Sequence, residues 1–370
     1  MSSLRYDEEH ALLREQARRW FAERSSMSVV RRLVGDARGD DPQVWAELAR
    51  LGWLGMVIPE TYGGSGLGFT HLAVLLEESG RQVLPSPLLP VTLAALAIQH
   101  GGSEAQRARV LPRVAAGETV VTLAYVEPDG AWQPTETRAT RSQGRLSGEK
   151  HHVWAAATAD MLIVPFRERG ATRVALVQAA ADGVTVVPEM GVDRTRRSAR
   201  IVLRDVRVSH DDVLALSAEE VFAHVLPRAC TAMAAEMAGG ADALLTMTAA
   251  YATTRVQFGR PIGSFQAVKH PLVNVLIGVE HGRSLVYAAA AALDDGAADA
   301  EMLARMAKAH LNDTYMFAAS RGVQLHGGFG FTIDCDVHLY FKRAHASRPA
   351  FGDATHHRRW IAERLIAHVQ

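Results

Sequence analysis

Apolar residues recur at helical spacing through the first third of the chain. Leu13, Ala17, Trp20 and Phe21 fall at i, i+4, i+7 and i+8, which puts one stripe on one helix face. Asp7-Glu8-Glu9 supplies acid where that helix would begin, and the helix dipole favours acid there. Asp41-Pro42 opens another helix, with Val44, Trp45, Leu48 and Leu51 as its buried side. Gly52-Trp53-Leu54-Gly55-Met56 and Pro59-Glu60-Thr61-Tyr62-Gly63-Gly64-Ser65-Gly66 read as a turn-rich connector. Two more apolar helices are predicted over 69–79 and 89–100, so residues 7 to about 120 read as helical.

The period changes near Val120. Val120-Val121-Thr122-Leu123-Ala124-Tyr125 is β-rich and stops at Pro128-Asp129-Gly130. Short extended runs recur at 145–148, 161–164, 173–177, 184–187 and 200–203, with turn residues between them. They predict a small antiparallel sheet or barrel. From about Ala218 the pattern is helical again. Segments 229–251, 265–293 and 301–322 read as a bundle, and a last helix is predicted over 355–369. The expected fold class is α+β, mainly α, in three parts. These are an N-terminal helical domain over 1–119, a middle antiparallel β domain over 120–217 and a C-terminal four-helix bundle over 218–370.

Composition narrows the function classes. Forty basic residues balance forty acidic ones, so no global field favours nucleic acid or an anionic membrane. No apolar run reaches the roughly 18 residues of a membrane span. Met1-Ser2-Ser3-Leu4-Arg5 is not followed by the apolar stretch of a secretory signal. Cys230 and Cys335 support neither a disulfide framework nor a zinc site. A cytoplasmic globular protein is expected, with no nucleic-acid partner and no membrane span.

Two segments carry candidate chemistry. Arg255-Val256-Gln257-Phe258-Gly259-Arg260-Pro261-Ile262-Gly263-Ser264-Phe265-Gln266 ends one helical pattern, turns on Gly and Pro, and starts the next. Gln324-Leu325-His326-Gly327-Gly328-Phe329-Gly330-Phe331 follows later. Arg255 offers a planar fork to phosphate, Gln266 and Gln324 can donate and accept at ribose or adenine edges, and Gly327-Gly328 allow close backbone approach. Each piece alone has a plainer reading. Arg255 fits a dipole partner at a helix end, Phe258 and Phe265 fit bundle core, Gln266 fits a solvated helix position, and Gly327-Gly328 fits a helix C-cap. Their joint spacing is what points to a large anionic cofactor.

The first segment resembles, at every fixed position, the R-x-x-F-G-x-P-I-x-x-F-Q signature of the acyl-CoA dehydrogenase family. Gln324 to Gly330 resembles that family's Q-x-x-G-G-x-G. Leu123-Ala124-Tyr125-Val126-Glu127-Pro128 is similar to its strand ending in T-E-P. Gly148-Glu149-Lys150 with Ala159-Asp160 is similar to G-x-K followed by A-D, and Pro59-Glu60 with Tyr62-Gly63-Gly64 is similar to P-E-x-Y-G-G. The likeness spans nearly the whole chain. It implies FAD bound between a β domain and a helical bundle, across a subunit interface. Arg255, Phe258, Gln266, Gln324, Gly327 and Gly328 would face a neighbouring subunit's cofactor. It also implies an acyl-CoA substrate, an electron-transfer flavoprotein or other electron acceptor, and homo- or hetero-oligomers (dimer or tetramer). Trp154 is near where the family stacks a tryptophan on the flavin, with His152 in the alternative register; an aromatic at the end of a β run also fits core.

The family reaction removes an α-proton from the thioester, and its base is a carboxylate in a site dry enough to raise its pKa. Pro349-Ala350-Phe351-Gly352-Asp353-Ala354-Thr355 occupies the segment where most members carry a Glu. Aligned on the aromatic, Gly352 takes the base position; aligned on the Thr, Asp353 does. The alternative position used by a smaller branch falls near Ala229, beside Arg228 and Cys230, and Glu236 two turns on reads as structural. Asp353 is the one candidate base, and it equally fits an N-cap for the last helix. The family's G-S-D after the Glu-Pro is replaced by Asp129-Gly130-Ala131. His356-His357-Arg358-Arg359 reads as a solvated face near CoA phosphates, not a metal site. Three functions follow. The first is FAD-dependent α,β-dehydrogenation of an acyl-CoA, alone or as one subunit of a heteromer. The second is a base-less partner that completes a cofactor site. The third is a nitroalkane-oxidase-like flavoenzyme using Asp353.

Overall fold

The computed structural model describes residues 6–36 and 38–367. Residues 1–5 of the N-terminal reading, and the predicted helical positions 368 and 369, lie outside the described residues.

Six helices come first: α1 (Glu8–Arg24), α2 (Met27–Gly35), α3 (Pro42–Arg50), α4 (Phe69–Arg81), α5 (Leu88–Gly101) and α6 (Glu104–Ala115). Asp7 caps α1, its carboxylate accepting the N–H of Glu9 at 3.1 Å and of His10 at 3.2 Å. Ala17 and Phe21 are buried, as the stripe requires, while Leu51 is exposed because it stands just past the end of α3. Helix α6 was not predicted, although its start was readable. The Ser103 hydroxyl accepts from the Gln106 N–H at 3.3 Å, and the Gln106 side chain accepts from the Ser103 N–H at 2.8 Å.

The strands follow: β1 (Val121–Leu123), β2 (Thr140–Ser142), β3 (Arg145–Trp154), β4 (Met161–Glu168), β5 (Ala171–Gln178), β6 (Val184–Glu189) and β7 (Ser198–Arg207). They form one seven-stranded sheet in the order β1-β4-β2-β3-β7-β6, with β5 paired to β4. Most pairs are antiparallel, as predicted, but β4 runs parallel to both β1 and β2. Alternate residues enter one core, among them Leu162, Val164 and Phe166 of β4 and Ala199, Ile201 and Leu203 of β7.

The chain returns to helix with α7 (Ala218–Thr254). A hairpin of two-residue strands, β8 (Val256–Gln257) and β9 (Arg260–Pro261), leads to α8 (Gln266–Asp294). Helices α9 (Ala300–His326), α10 (Val337–Ser347) and α11 (Ala354–Ala367) complete the order. No described helix is long and apolar enough to cross a membrane.

The molecule divides into two compact units. One gathers residues up to 32, 69–84 and from 227 onward, so α1 and α4 join the bundle helices. Within it, Glu77 of α4 is buried and paired with Arg14 at 3.0 Å and Arg283 at 2.8 Å, and it accepts from the Tyr287 hydroxyl at 2.7 Å. The other unit holds 33–68 and 85–226, hence the sheet with α3, α5 and α6. Two of the sequence motifs meet inside it. Lys150 pairs with Glu127, and the Thr137 hydroxyl joins them, 2.8 Å from the Lys150 Nζ and 3.0 Å from the Glu127 carboxylate. Both charges are fully buried, and the pairing keeps either from being orphaned.

Candidate functional site

Helix α7 ends by handing the Arg255 N–H to the Tyr251 carbonyl at 2.9 Å. The chain then makes a two-residue hairpin turn in which Phe258 and Gly259 both have positive φ, 54° and 75°. That is the backbone a tight hairpin of this kind demands. The Ile262 N–H donates to the Arg255 carbonyl at 2.8 Å and closes the loop. Phe258, which fitted bundle core in the sequence, is instead 91% exposed at the tip. Its ring meets Phe265 edge-on at 6.1 Å, and the Arg260 guanidinium sits 4.2 Å over Phe265. Arg255 and Gln266 are exposed beside it, and Arg255 makes no ion pair among the described residues.

The second motif starts where α9 stops. Gly327 has φ 62° and ends the helix, its N–H donating to the Gln324 carbonyl. Gln324, Gly327 and Gly328 are exposed, and a Cβ on either glycine would meet nothing within 4 Å. The two motifs are joined from behind by aromatic stacking. The ring of Tyr251, one turn before Arg255, lies 4.3 Å from that of His326, the residue before Gly327. Arg255, Phe258, Gln266, Gln324, Gly327 and Gly328 therefore lie at the end of α7, the start of α8 and the end of α9, and are exposed.

An unpaired guanidinium fork, two exposed carboxamides and bare backbone at a helix end suit phosphates, ribose hydroxyls and an adenine edge. The residues fit the adenosine diphosphate portion of FAD. Large apolar side chains around them, Phe331 at 74% exposure and Ile333 at 79%, are left uncovered by this chain.

Trp154 is in the other unit, at the end of β3. It is half-buried, with the Arg196 guanidinium 4.8 Å over its ring, and its carbonyl accepts from the Thr122 hydroxyl at 2.7 Å. It borders a small concavity of about 40 Å³ also lined by Arg38, Asp40, Ser86 and Ser198.

Asp353 stands apart from these two motifs, at the start of α11. Its Oδ1 accepts the His356 N–H at 2.8 Å and its carbonyl accepts the His357 N–H at 3.1 Å. The His356 amide, with the positive charge of Arg348, holds its carboxyl below the usual range. Gly352 has φ 98°, and a Cβ there would fall 2.8 Å from the His356 ring and 3.1 Å from His357 Nε2. At the alternative base position Ala229 and Cys230 are fully buried, and burial pushes the Cys230 thiol up to about 11.

His357 does not lie on a solvated face, as the sequence had suggested; it is 0% exposed. Its Nδ1 is 3.4 Å from Arg305 Nη1 and its Nε2 is 3.9 Å from Cys230 Sγ. A guanidinium only donates, so Nδ1 accepts and the ring proton sits on Nε2. Burial pushes its pKa down to about 3, so the ring is neutral. No group of metal-ligating side chains occurs among the described residues.

One residue of this region was missed. Lys308 is 0% exposed, and its Nζ donates to the Gly352 carbonyl at 3.2 Å. The signal was present: Ala304, Lys308, Leu311 and Tyr315 form one helical stripe, and a lysine in an apolar stripe needs an internal acceptor.

Comparisons with known proteins converge on one family. Residues 7–118 match the family described as acyl-CoA dehydrogenase, N-terminal domain, and residues 220–366 match acyl-CoA dehydrogenase, C-terminal domain. The acyl-CoA dehydrogenase IpdE2 of Mycolicibacterium smegmatis is 31% identical over 93% of this chain and 95% of its own length. Among solved structures, a variant of the Tcur3481-Tcur3483 steroid ACAD superposes with a TM-score of 0.89 at 33% identity, covering 98% of this chain and 99% of that one. The ChsE4-ChsE5 complex from Mycobacterium tuberculosis superposes with a TM-score of 0.90 at 27% identity, again over 98% and 99%.

Proposed function

The chain belongs to the acyl-CoA dehydrogenase family of FAD-dependent oxidoreductases, and on that premise we propose that it serves in a heteromeric dehydrogenase, completing an FAD site while supplying no base of its own. The observation that carries this reading is the state of the 352–353 turn. A base for an α-proton needs a free carboxylate whose pKa has been raised by a dry site. Asp353 is committed to an N-cap and its carboxyl is held low, while the Gly352 position is sterically closed. Neither register of the motif leaves an acid in working order.

FAD, when bound, would take up the hydride leaving the β-carbon of the thioester. This chain's residues bind rather than transfer. Arg255 offers two parallel N–H groups to a pyrophosphate, Gln266 and Gln324 take ribose or adenine edges, and the amides around Gly327 and Gly328 add neutral donors. Phe258 shields that grip from water. Trp154 is the candidate for contact with the flavin ring. The partner subunit would provide the carboxylate that accepts the α-proton.

Two structural neighbours support the heteromeric form, since each carries the names of two components. One is described as a steroid ACAD, and a bulky acyl-CoA thioester is the substrate class proposed by analogy. An electron-transfer flavoprotein as acceptor and a cytoplasmic location complete the proposal.

The test is expression of the chain alone and together with a second acyl-CoA dehydrogenase encoded beside it. Flavin content and flavin bleaching by acyl-CoAs are then measured. Bleaching that requires the second chain and survives Asp353→Asn supports the reading. Bleaching by the lone chain that is lost in Asp353→Asn overturns it, and turnover of nitroethane with oxygen by the lone chain would replace it with nitroalkane oxidation.

A further inference from the structure

We propose that Lys308 is the positioning residue of the 347–353 turn: its buried ammonium holds the backbone that closes the Gly352 position and keeps Asp353 as a helix cap. The inference deepens the base-less reading above and rests on it for its consequence, though not for its geometry.

The Lys308 Nζ lies 2.9 Å from Asn312 Oδ1, 3.2 Å from the carbonyls of Arg348 and Gly352, and 3.4 Å from that of Ser347. Three N–H groups thus serve four acceptors, and three of these acceptors belong to the turn. Ser347 and Arg348 end α10, where carbonyls lack intrahelical partners and a cation complements the dipole. No carboxylate forms an ion pair with Lys308 among the described residues. Burying a lysine without one is costly, and sequences keep such a group only where it satisfies something else.

What it satisfies here is a strained backbone. Phe351 and Gly352 are consecutive positive-φ residues, at 56° and 98°. For a bulky residue such as Phe351, that region is held only when the surroundings over-determine it. Phe351 is buried, Gly352 abuts the two histidines, and the Gly352 carbonyl is aimed at the ammonium. Released from Lys308, the turn would have no reason to keep that path, and Asp353 could leave the helix end.

The ammonium also titrates within an accessible range. The groups facing it are the Cys230 thiol from α7, Arg305 and Asn312 from its own helix, Asp353 from the turn and His357 from α11. Burial pushes its pKa down to about 8, with Cys230 and Asp353 opposing that shift. Opening the turn would return the amine to water and to its ordinary value of 10.5, so between about pH 8 and 10.5 the open turn binds a proton that the closed one refuses, and the hold strengthens as pH rises from 6.5 to 9.5.

Hydrogen exchange on the full chain, purified with its cofactor and any co-expressed partner, tests this on peptides covering 347–357, with intrinsic rates divided out. In the wild type, exchange there is expected to fall at least about tenfold between pH 6.5 and pH 9.5, with peptides of β4 unchanged. Lys308→Met should exchange fast at both pH values, and Lys308→Arg, charged throughout, should lose the pH dependence. Equal wild-type protection at the two pH values, or a Met variant protected like the wild type, overturns the proposal. Should the Met variant fail to fold, the wild-type pH pair and the Arg variant decide alone. No turnover enters the readout, so lone-chain bleaching that sinks the base-less reading would leave this result standing.

Discussion

Tyr251 lies nearly face to face on His326, with ring centroids 4.3 Å apart and planes 21° from parallel. Tyr251 is one turn before Arg255 and His326 immediately precedes Gly327, so this contact ties together the two motifs proposed to grip the cofactor. His326 is also fixed from its other side. Its Nδ1 donates to the Gly322 carbonyl at 2.8 Å, and burial keeps the ring below its usual pKa, hence neutral.

Replacing Tyr251 with Ala should therefore loosen FAD before it loosens the fold. The stack contributes about 0.5–1.5 kcal/mol beyond area burial, and Tyr251 is only half-buried. FAD affinity should fall by roughly three- to tenfold, read by titrating the apoprotein against flavin fluorescence. Unchanged affinity would remove the stack from any role at the site.

Arg255→Lys should separate charge from geometry. Arg255 is exposed, so the melting temperature should stay within about a degree or two. A lysine keeps the charge and loses the bidentate fork, and a charge-assisted hydrogen bond is worth about 1.5–3 kcal/mol. FAD affinity should drop by about tenfold to a hundredfold. A variant that retains flavin as the wild type does would show that Arg255 points elsewhere in the assembly.

Gly352→Ala is expected to be costly although it adds a single methyl. The position has φ 98°, and the new Cβ would come 2.8 Å from the His356 ring. Backbone strain of this kind costs about 1–3 kcal/mol, before any displacement of the histidines. A fall of roughly 2 kcal/mol or more in unfolding free energy, by guanidinium titration, is the expected outcome. Gly352→Glu should fold no better and should not create flavin bleaching in the lone chain, because its carboxylate would start from an occupied space.

How far the sequence could be read follows from how local each signal was. The Arg255–Gln266 and Gln324–Gly328 motifs are short contiguous runs at helix ends, so spacing alone located them. Strands with strict alternation, such as β7, were legible for the same reason. The missed features depend on partners distant in sequence. Lys308 is explained by carbonyls around position 350, and His357 by Arg305 and Cys230, none of which a local period can point to. The exposure of Phe258 was also hidden, because an aromatic beside a helix end looks like core until the hairpin turn is seen to throw it outward.

His357 gives the sharpest pH prediction. Its folded pKa is near 3, against about 6.5 in the unfolded chain. Below pH 6.5 the unfolded chain takes up a proton that the folded one refuses, so stability is full above that pH and falls as pH drops toward 3. The slope is about 1.4 kcal/mol per pH unit, or about 2 kcal/mol lost by pH 5. His357→Gln cannot titrate, yet its amide can still accept from Arg305 and donate toward Cys230. Guanidinium midpoints at pH 7.5, 6 and 5 should show a variant somewhat weaker at pH 7.5 but flatter toward acid, by about one proton. His71, His338 and His356 also have depressed pKa values and will keep some acid sensitivity in both proteins. Identical slopes for the two proteins would mean that His357 meets water in the folded state, and the sealed packing around Gly352 would then be wrong.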